Sequence, residues 1–296
     1  MASESGWEAG RSLWTSECGC PGSRAGGVCP HWYSGAALLA PSARGFDPEP
    51  KATVWTRLMK TADPRADVRR VGRVRLADID SDLVPPHAAN GGSPVVPVIE
   101  IAANTGSDAV TSVARGTRSL ILKGFLLRTI AAGGGSITEV LGPGDMIFDH
   151  NRHDEPLVTS VEWRVLERTL VADLATLDTS DQAIRAVLLE SIARRLQEQV
   201  DRATVRCAVQ SVIRVDVRLL AYLWHLAGSY GVITPAGVRL DLPLTHLLLA
   251  ELIGARRPTV TTGFGVLTAG GFIRREGRSI LLLGDCVSAL DAVAAH

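Results

Sequence analysis

Residues Leu242–Leu283, LPLTHLLLAELIGARRPTVTTGFGVLTAGGFIRREGRSILLL, decide the fold. Thr245 is an N-cap hydroxyl, and Leu248, Leu249, Leu252 and Ile253 follow at helical spacing, which predicts a short helix ending at Gly254. A second helix starts at Arg257-Pro258, with proline in the first turn where its missing N–H costs least. Val260, Phe264 and Leu267 (i, i+4, i+7) supply its buried stripe. Gly270-Gly271 ends it, and two short strands, Phe272-Ile273 and Ile280–Leu283, flank a hairpin tip at Glu276-Gly277. Small residues at Ala250 and Gly254 suit a steep crossing of two helices. The pattern is a winged helix-turn-helix.

The outward face of the second helix carries Arg257, Thr259, Thr261 and Thr262, side chains that bond phosphates and base edges. From Arg256 to Arg278 there are five arginines against one acid, Glu276. A helical hairpin with merely solvated arginines is the bland alternative, but helix, turn, helix and basic wing occur here together and in order. The segment resembles the C-terminal domain of the Crp/Fnr superfamily of transcription regulators. The family's second helix opens Ser-Arg-Glu-Thr-Val, where this chain has Arg256-Arg257-Pro258-Thr259-Val260. The resemblance therefore puts the base-reading arginine at Arg257, with Pro258 replacing the glutamate and Thr262 replacing a second arginine. It implies a DNA-contact set of Arg256, Arg257, Thr259, Thr261 and Thr262, with wing arginines Arg274, Arg275 and Arg278 on the phosphate backbone. The family's target sequence does not carry over.

Upstream, β-type sequence begins at Val95–Ile101 and continues through Arg118–Ile130, Ile137–Leu141 and Val158–Leu174, with turns at Gly133-Gly134-Gly135 and Gly142-Pro143-Gly144-Asp145. Strand, Gly-Pro-Gly-Asp, strand resembles the family's cyclic-nucleotide-binding-type β-roll. Thr179-Ser180-Asp181 caps a long helix running to about Ile213, whose stripe Ile184, Leu188, Ile192, Leu196, Val200, Ala203 and Cys207 steps by three and four. Its Ala193–Gln197 segment resembles the family's dimer helix, which implies Leu188, Ile192, Leu196, Val200 and Ala203 as dimer contacts. A core helix on its own roll is the other reading. Val217–Ala227 predicts a further helix, and its His225 reads as a packing or surface histidine.

The expected class is α+β: extension 1–72, β-roll sensor 73–178, dimerisation helix 179–213 and winged helix-turn-helix 214–296. Residues 1–72 lack periodicity, although they hold four of the six tryptophans (Trp7, Trp14, Trp32, Trp55), and they read as a poorly ordered extension. A short docked segment within them is the alternative reading. Residues Val74–Asp82 suggest a short helix. Formal net charge is zero, so affinity for nucleic acid must come from a local patch. No apolar run approaches the ~18 residues of a spanning helix, which predicts a cytoplasmic chain.

Cys18, Cys20, Cys29 and His31 could furnish metal ligands, but their spacing matches neither paired CxxC nor the iron–sulfur pattern of some relatives, so no cofactor is expected. The loop Asp149, His150, His153, Asp154 and Glu155 is the only enzyme-like cluster, and such loops are usually solvated. A metal- or ligand-binding roll, or an interaction module with a degenerate helix-turn-helix loosened by Gly263 and Gly265, remain as alternatives to a regulator. The resemblance implies double-stranded DNA, a second copy of the chain and RNA polymerase as partners, with an effector left open. Relatives that bind cyclic nucleotide have Gly-Glu after the Gly-Pro-Gly-Asp turn, then arginine followed by serine or threonine. Here the run is Met146–Ser160, MIFDHNRHDEPLVTS, with no glycine, three acids and Leu157-Val158 before Thr159. Gln199 and Val200 stand where the helix would offer a threonine-serine pair to the base. Cyclic nucleotide is not the expected effector.

Overall fold

The computed structural model describes residues 67–89, 92–114, 118–147, 157–175, 177 and 180–295. Twelve strands are present among them: β1 Val68–Arg75, β2 Val95–Ile101, β3 Ser119–Lys123, β4 Leu126–Ala132, β5 Gly135–Leu141, β6 Met146–Ile147, β7 Val158–Val165, β8 Thr169–Asp173, β9 Gly231–Thr234, β10 Gly237–Leu240, β11 Ile273–Glu276 and β12 Ser279–Leu282. The helices used below are α1 Ser107–Ala114, α2 Gln182–Gln210, α3 Val215–Tyr230, α4 His246–Ile253, α5 Arg257–Ala269 and α6 Cys286–Ala295.

Two antiparallel sheets, β1-β2-β8-β3-β6 and β5-β4-β7, form the β-roll. One side chain of each alternating pair turns inward: Ile101, Ile121, Leu126, Leu141, Ile147, Trp163, Val165 and Val171 make its interior, with α1 closing one side through Val110 and Val113. The turn Gly142–Asp145 works as its composition implies. Gly144 has φ 91°, and the Asp145 carboxylate accepts the Gly142 N–H at 2.8 Å.

The helix-turn-helix is built on α3, α4 and α5, with Leu219, Leu223, Leu248, Leu249, Leu252, Ile253, Val260, Phe264 and Leu267 in one core. Burying Val260, Phe264 and Leu267 is worth about 1.5–3 kcal/mol each. Thr245 Oγ1 accepts the Leu248 N–H, as an N-cap should. Gly254 closes α4 at φ 62°, ψ 44°, while the Ala255 N–H reaches back to the Ala250 carbonyl at 2.9 Å. That six-residue closure needs a left-handed residue, which glycine supplies without strain. The wing is larger than the sequence suggested, because β9 and β10 join it in a four-stranded sheet ordered β11-β12-β10-β9.

Two expectations are refined. The extension does not reach residue 72, since β1 begins at Val68 and pairs with β2 from Val68↔Ile101 to Arg75↔Val95. A bulge between Arg70 and Gly72 breaks the alternation that would have betrayed the strand. Helix then occupies only Leu76–Ile79, followed by a 3-10 turn at Ser81–Leu83. The second concerns α2: Leu188 and Ile192, 7% and 8% exposed, are buried with Ile184 in the chain's own roll core, which is the core-helix reading of that part of the stripe. Leu196 packs partly on that core and Val200 is 59% exposed. The one stripe read from the sequence is thus divided between two faces. The open face carries Leu189, Ala193, Leu196, Val200, Ala203 and Cys207, steps of four and three.

Because β1 anchors the edge of the five-stranded sheet, removing residues 1–72 should lower the melting temperature by several degrees relative to removing residues 1–66. Thermal denaturation of the two truncated proteins checks this; equal melting temperatures would show that β1 contributes nothing.

Candidate nucleic-acid interface and the cavity behind it

Arg256 is the N-cap of α5 and Arg257 its first residue; with Thr259, Thr261 and Thr262 they lie exposed on one face. The threonines are less free than their sequence suggests. Thr261 and Thr262 donate their hydroxyls to the carbonyls four residues back, Arg257 at 3.0 Å and Pro258 at 3.2 Å. With those hydrogens used within the helix, the two hydroxyls have acceptor rather than donor capacity left, which suits base amino groups better than phosphates. Gly263 is buried against α3, where a Cβ would lie 3.5 Å from Asp216 Cα, an ordinary van der Waals contact.

The wing arginines divide by partner. Arg274 is paired with Glu276 at 2.7 Å. The Arg275 guanidinium donates to the Leu244 and Gly277 carbonyls at 3.0 and 3.3 Å and lies 5.9 Å over the Phe264 ring, which ties wing to helix. Arg278 bears on Glu167 of the roll, whose carboxyl burial raises above its usual range despite the opposing pull of Arg278 and Lys123. His246, at the start of α4, was missed. Its Nδ1 lies 3.1 Å from Thr261 Oγ1 and its ring 4.9 Å from that of Phe264.

Behind this face, α2 holds the roll with a polar stripe. Arg195 binds Asp80 and the Gly144 carbonyl, and Gln199 exchanges two hydrogen bonds with the Met146 backbone at 3.1 and 3.2 Å. Arg202 binds Asp145, and Arg206 binds Glu139 at 2.7 Å. These side chains recur every three or four residues, so one face of the helix presents all four. Asp145 also accepts from the Tyr230 hydroxyl at the end of α3, at 2.5 Å, and Tyr230 meets Phe125 edge to face. Arg164 of β7 pairs with Glu251 of α4. Roll, long helix and helix-turn-helix are therefore fastened together. Only the arginines' positions were visible in sequence; their partners lie more than fifty residues away.

A cavity of about 340 Å³ lies among β4, β5, α2 and α3, lined by Arg128, Glu139, Arg206, Tyr222, His225 and Tyr230. Burial opposes ionisation of Glu139, but Arg128 and Arg206 together outweigh it and hold the carboxyl below its usual range. Burial, reinforced by Arg206 and Arg202, pushes the His225 imidazole down to about 4, so it is neutral. The acid and histidine loop Asp149–Glu155 and Cys18, Cys20, Cys29 and His31 lie outside the described residues. Among the described residues no His, Cys, Asp and Glu group could hold a metal, and no helix is long and apolar enough to cross a membrane.

Residues 217–284 match the Crp-like helix-turn-helix domain. The chain is similar to the global nitrogen regulator of Synechocystis sp., 45% identical over 56 residues, 19% of this chain and 25% of that protein. It is also similar to the CRP-like cAMP-activated global transcriptional regulator of Mycobacterium tuberculosis, 28% identical over 160 residues, 50% of this chain and 66% of that protein. The chain thus spans less than two thirds of either relative's length. Among solved structures, a CooA variant from Carboxydothermus hydrogenoformans is similar at TM-score 0.48 and 18% identity, covering 66% of this chain and 86% of that one. FixK2 from Bradyrhizobium japonicum is similar at TM-score 0.48 and 13% identity, covering 67% and 97%.

An unfolded imidazole titrates near ~6.5. A folded value of about 4 means that the unfolded state takes up the proton first. Stability contributed by neutral His225 is complete above about pH 6.5 and is lost as pH falls toward about 4. Urea midpoints over that range should fall more steeply for the wild type than for His225→Gln; parallel slopes would mean that the folded imidazole is already charged.

Proposed function

We propose, because residues 217–284 match the Crp-like helix-turn-helix domain, that this chain is a transcriptional regulator of the Crp/Fnr type and binds an inverted-repeat DNA site as a homodimer. The observation that carries this reading is the exposed face of α5. Arg257, Thr259, Thr261 and Thr262 are exposed on a helix whose opposite face is buried in the core. Each α5 enters a major groove, with half-sites about 34–36 Å apart as in other helix-turn-helix dimers. Arg257 reads a base, and the wing contributes through Arg274 and Arg275, which lie beside the phosphate backbone.

The twin subunit meets the open seam of α2, Leu189, Ala193, Leu196, Val200, Ala203 and Cys207. Its heptad spacing supports a short coiled contact. An effector enters the cavity between roll and α3, and its binding shifts the population of DNA-competent arrangements. RNA polymerase is the downstream partner. No chemical step is assigned to the chain, and the reading is not enzymatic.

Cyclic AMP and cyclic GMP are not the effector. The donor cradle that a cyclic phosphate needs is missing from the sequence, since Met146–Ser160 has no glycine and no arginine directly before Thr159, and Gln199 is engaged by the Met146 backbone. Titration calorimetry of the purified protein is expected to detect no saturable binding; a dissociation constant below about 50 µM, near 6 kcal/mol, would sink this.

Selection of bound duplex from a random pool should return a two-fold-symmetric motif. On that site Arg257→Ala should cost about 1–3 kcal/mol and relax preference at one base pair per half-site. A loss equal on selected and random DNA would place Arg257 on phosphate instead.

A further inference from the structure

His246 occupies the first helical position of α4, half-buried at the foot of α5. The Thr261 hydroxyl has one hydrogen and donates it to the Arg257 carbonyl. With that hydrogen on the carbonyl, its oxygen accepts from His246 Nδ1 at 3.1 Å, and in this assigned tautomer Nε2 is the atom that titrates. Phe264 packs against the ring and prevents it from swinging away.

The charges around this ring are of one sign. Arg257 of α5 and Arg275 of β11 bear on it and, after burial, hold it below its ordinary value. The acids on neighbouring elements are engaged elsewhere: Glu251 with Arg164, Glu276 with Arg274, and Asp241 with Arg239 and Ser279. The ring is therefore held toward its neutral form in the free protein, beside two guanidiniums. A neutral Nε2 is an acceptor and repels a phosphate oxygen; a protonated one donates a charge-assisted hydrogen bond to it.

We propose that His246 is a proton-linked phosphate contact: when a DNA phosphodiester lies beside His246 and Arg275, the ring takes up a proton from solvent at Nε2 and, as imidazolium, donates a hydrogen bond to the phosphate oxygen. This rests on the DNA-binding reading and adds to it a dependence on pH. The phosphate raises the imidazole's pKa in the complex above that of the free protein. Affinity therefore rises as pH falls through the bound-state value and levels off below the free-state value.

The test is fluorescence anisotropy of the full chain with a random-sequence duplex, at constant ionic strength, from about pH 8 to about pH 6. Wild-type affinity should rise about five- to tenfold on acidification, tenfold being the effect of moving the pKa by about one. His246→Gln should bind weakly with no such rise, and His246→Arg, permanently charged, should bind tightly at every pH. A rise retained in His246→Gln, or a wild type that binds duplex equally across the range, overturns the proton link and leaves the DNA-binding reading standing. Duplex unbound at every pH and at low salt overturns both.

Discussion

One carboxylate holds three parts of this protein in register. Asp145 closes the Gly142–Asp145 turn through the Gly142 N–H, accepts from Tyr230 at the end of α3, and pairs with Arg202 of α2. The group is buried, so its charge is tolerable only because every partner is in place, and loss of one would leave the others uncompensated. Gly142 shows how tight the arrangement is. A Cβ there would fall 2.5 Å from the Phe125 ring and 2.8 Å from that of Tyr230. The turn motif that reads in sequence as simple loop chemistry is therefore also the joint on which the helix-turn-helix is seated.

The helix-turn-helix was almost fully legible because its determinants are local. An N-cap threonine, a glycine that must turn left-handed, a proline in the first turn and apolar residues three and four apart need no distant partner to be understood. The hairpin of β9 and β10 was missed although Val232 and Ile233, then Val238 and Leu240, flank a Pro235-Ala236-Gly237 turn. The run into it, Gly231, follows directly from α3 with no break. In the roll, strand positions were readable from spacing, whereas β1 was not, because its bulge erases the period that strands are recognised by.

The long helix is where the sequence left two readings open, for a physical reason. An apolar stripe signals burial but not against what. Ile184, Leu188 and Ile192 enter the chain's own roll, while Val200 stays outside. From Arg195 onward the roll is held by arginines and a glutamine, residues that normally signal solvent. Their partners, Asp80, Asp145 and Glu139, come from elements remote in the chain, and nothing local marks the pairing. The same blindness hid His246, whose meaning depends on Thr261 fifteen residues on and Arg275 on another strand.

The division between domains is also less clean than the order of elements suggests. Leu127 and Val140 belong to roll strands yet sit in the core formed by the helix-turn-helix, and Phe125 and Leu166 pack against the same core. Apolar groups shared in this way lose their shelter whichever side opens first. The two halves are thermodynamically one body: heat should carry them through a single cooperative calorimetric transition, and a protease should find no stable half to leave behind.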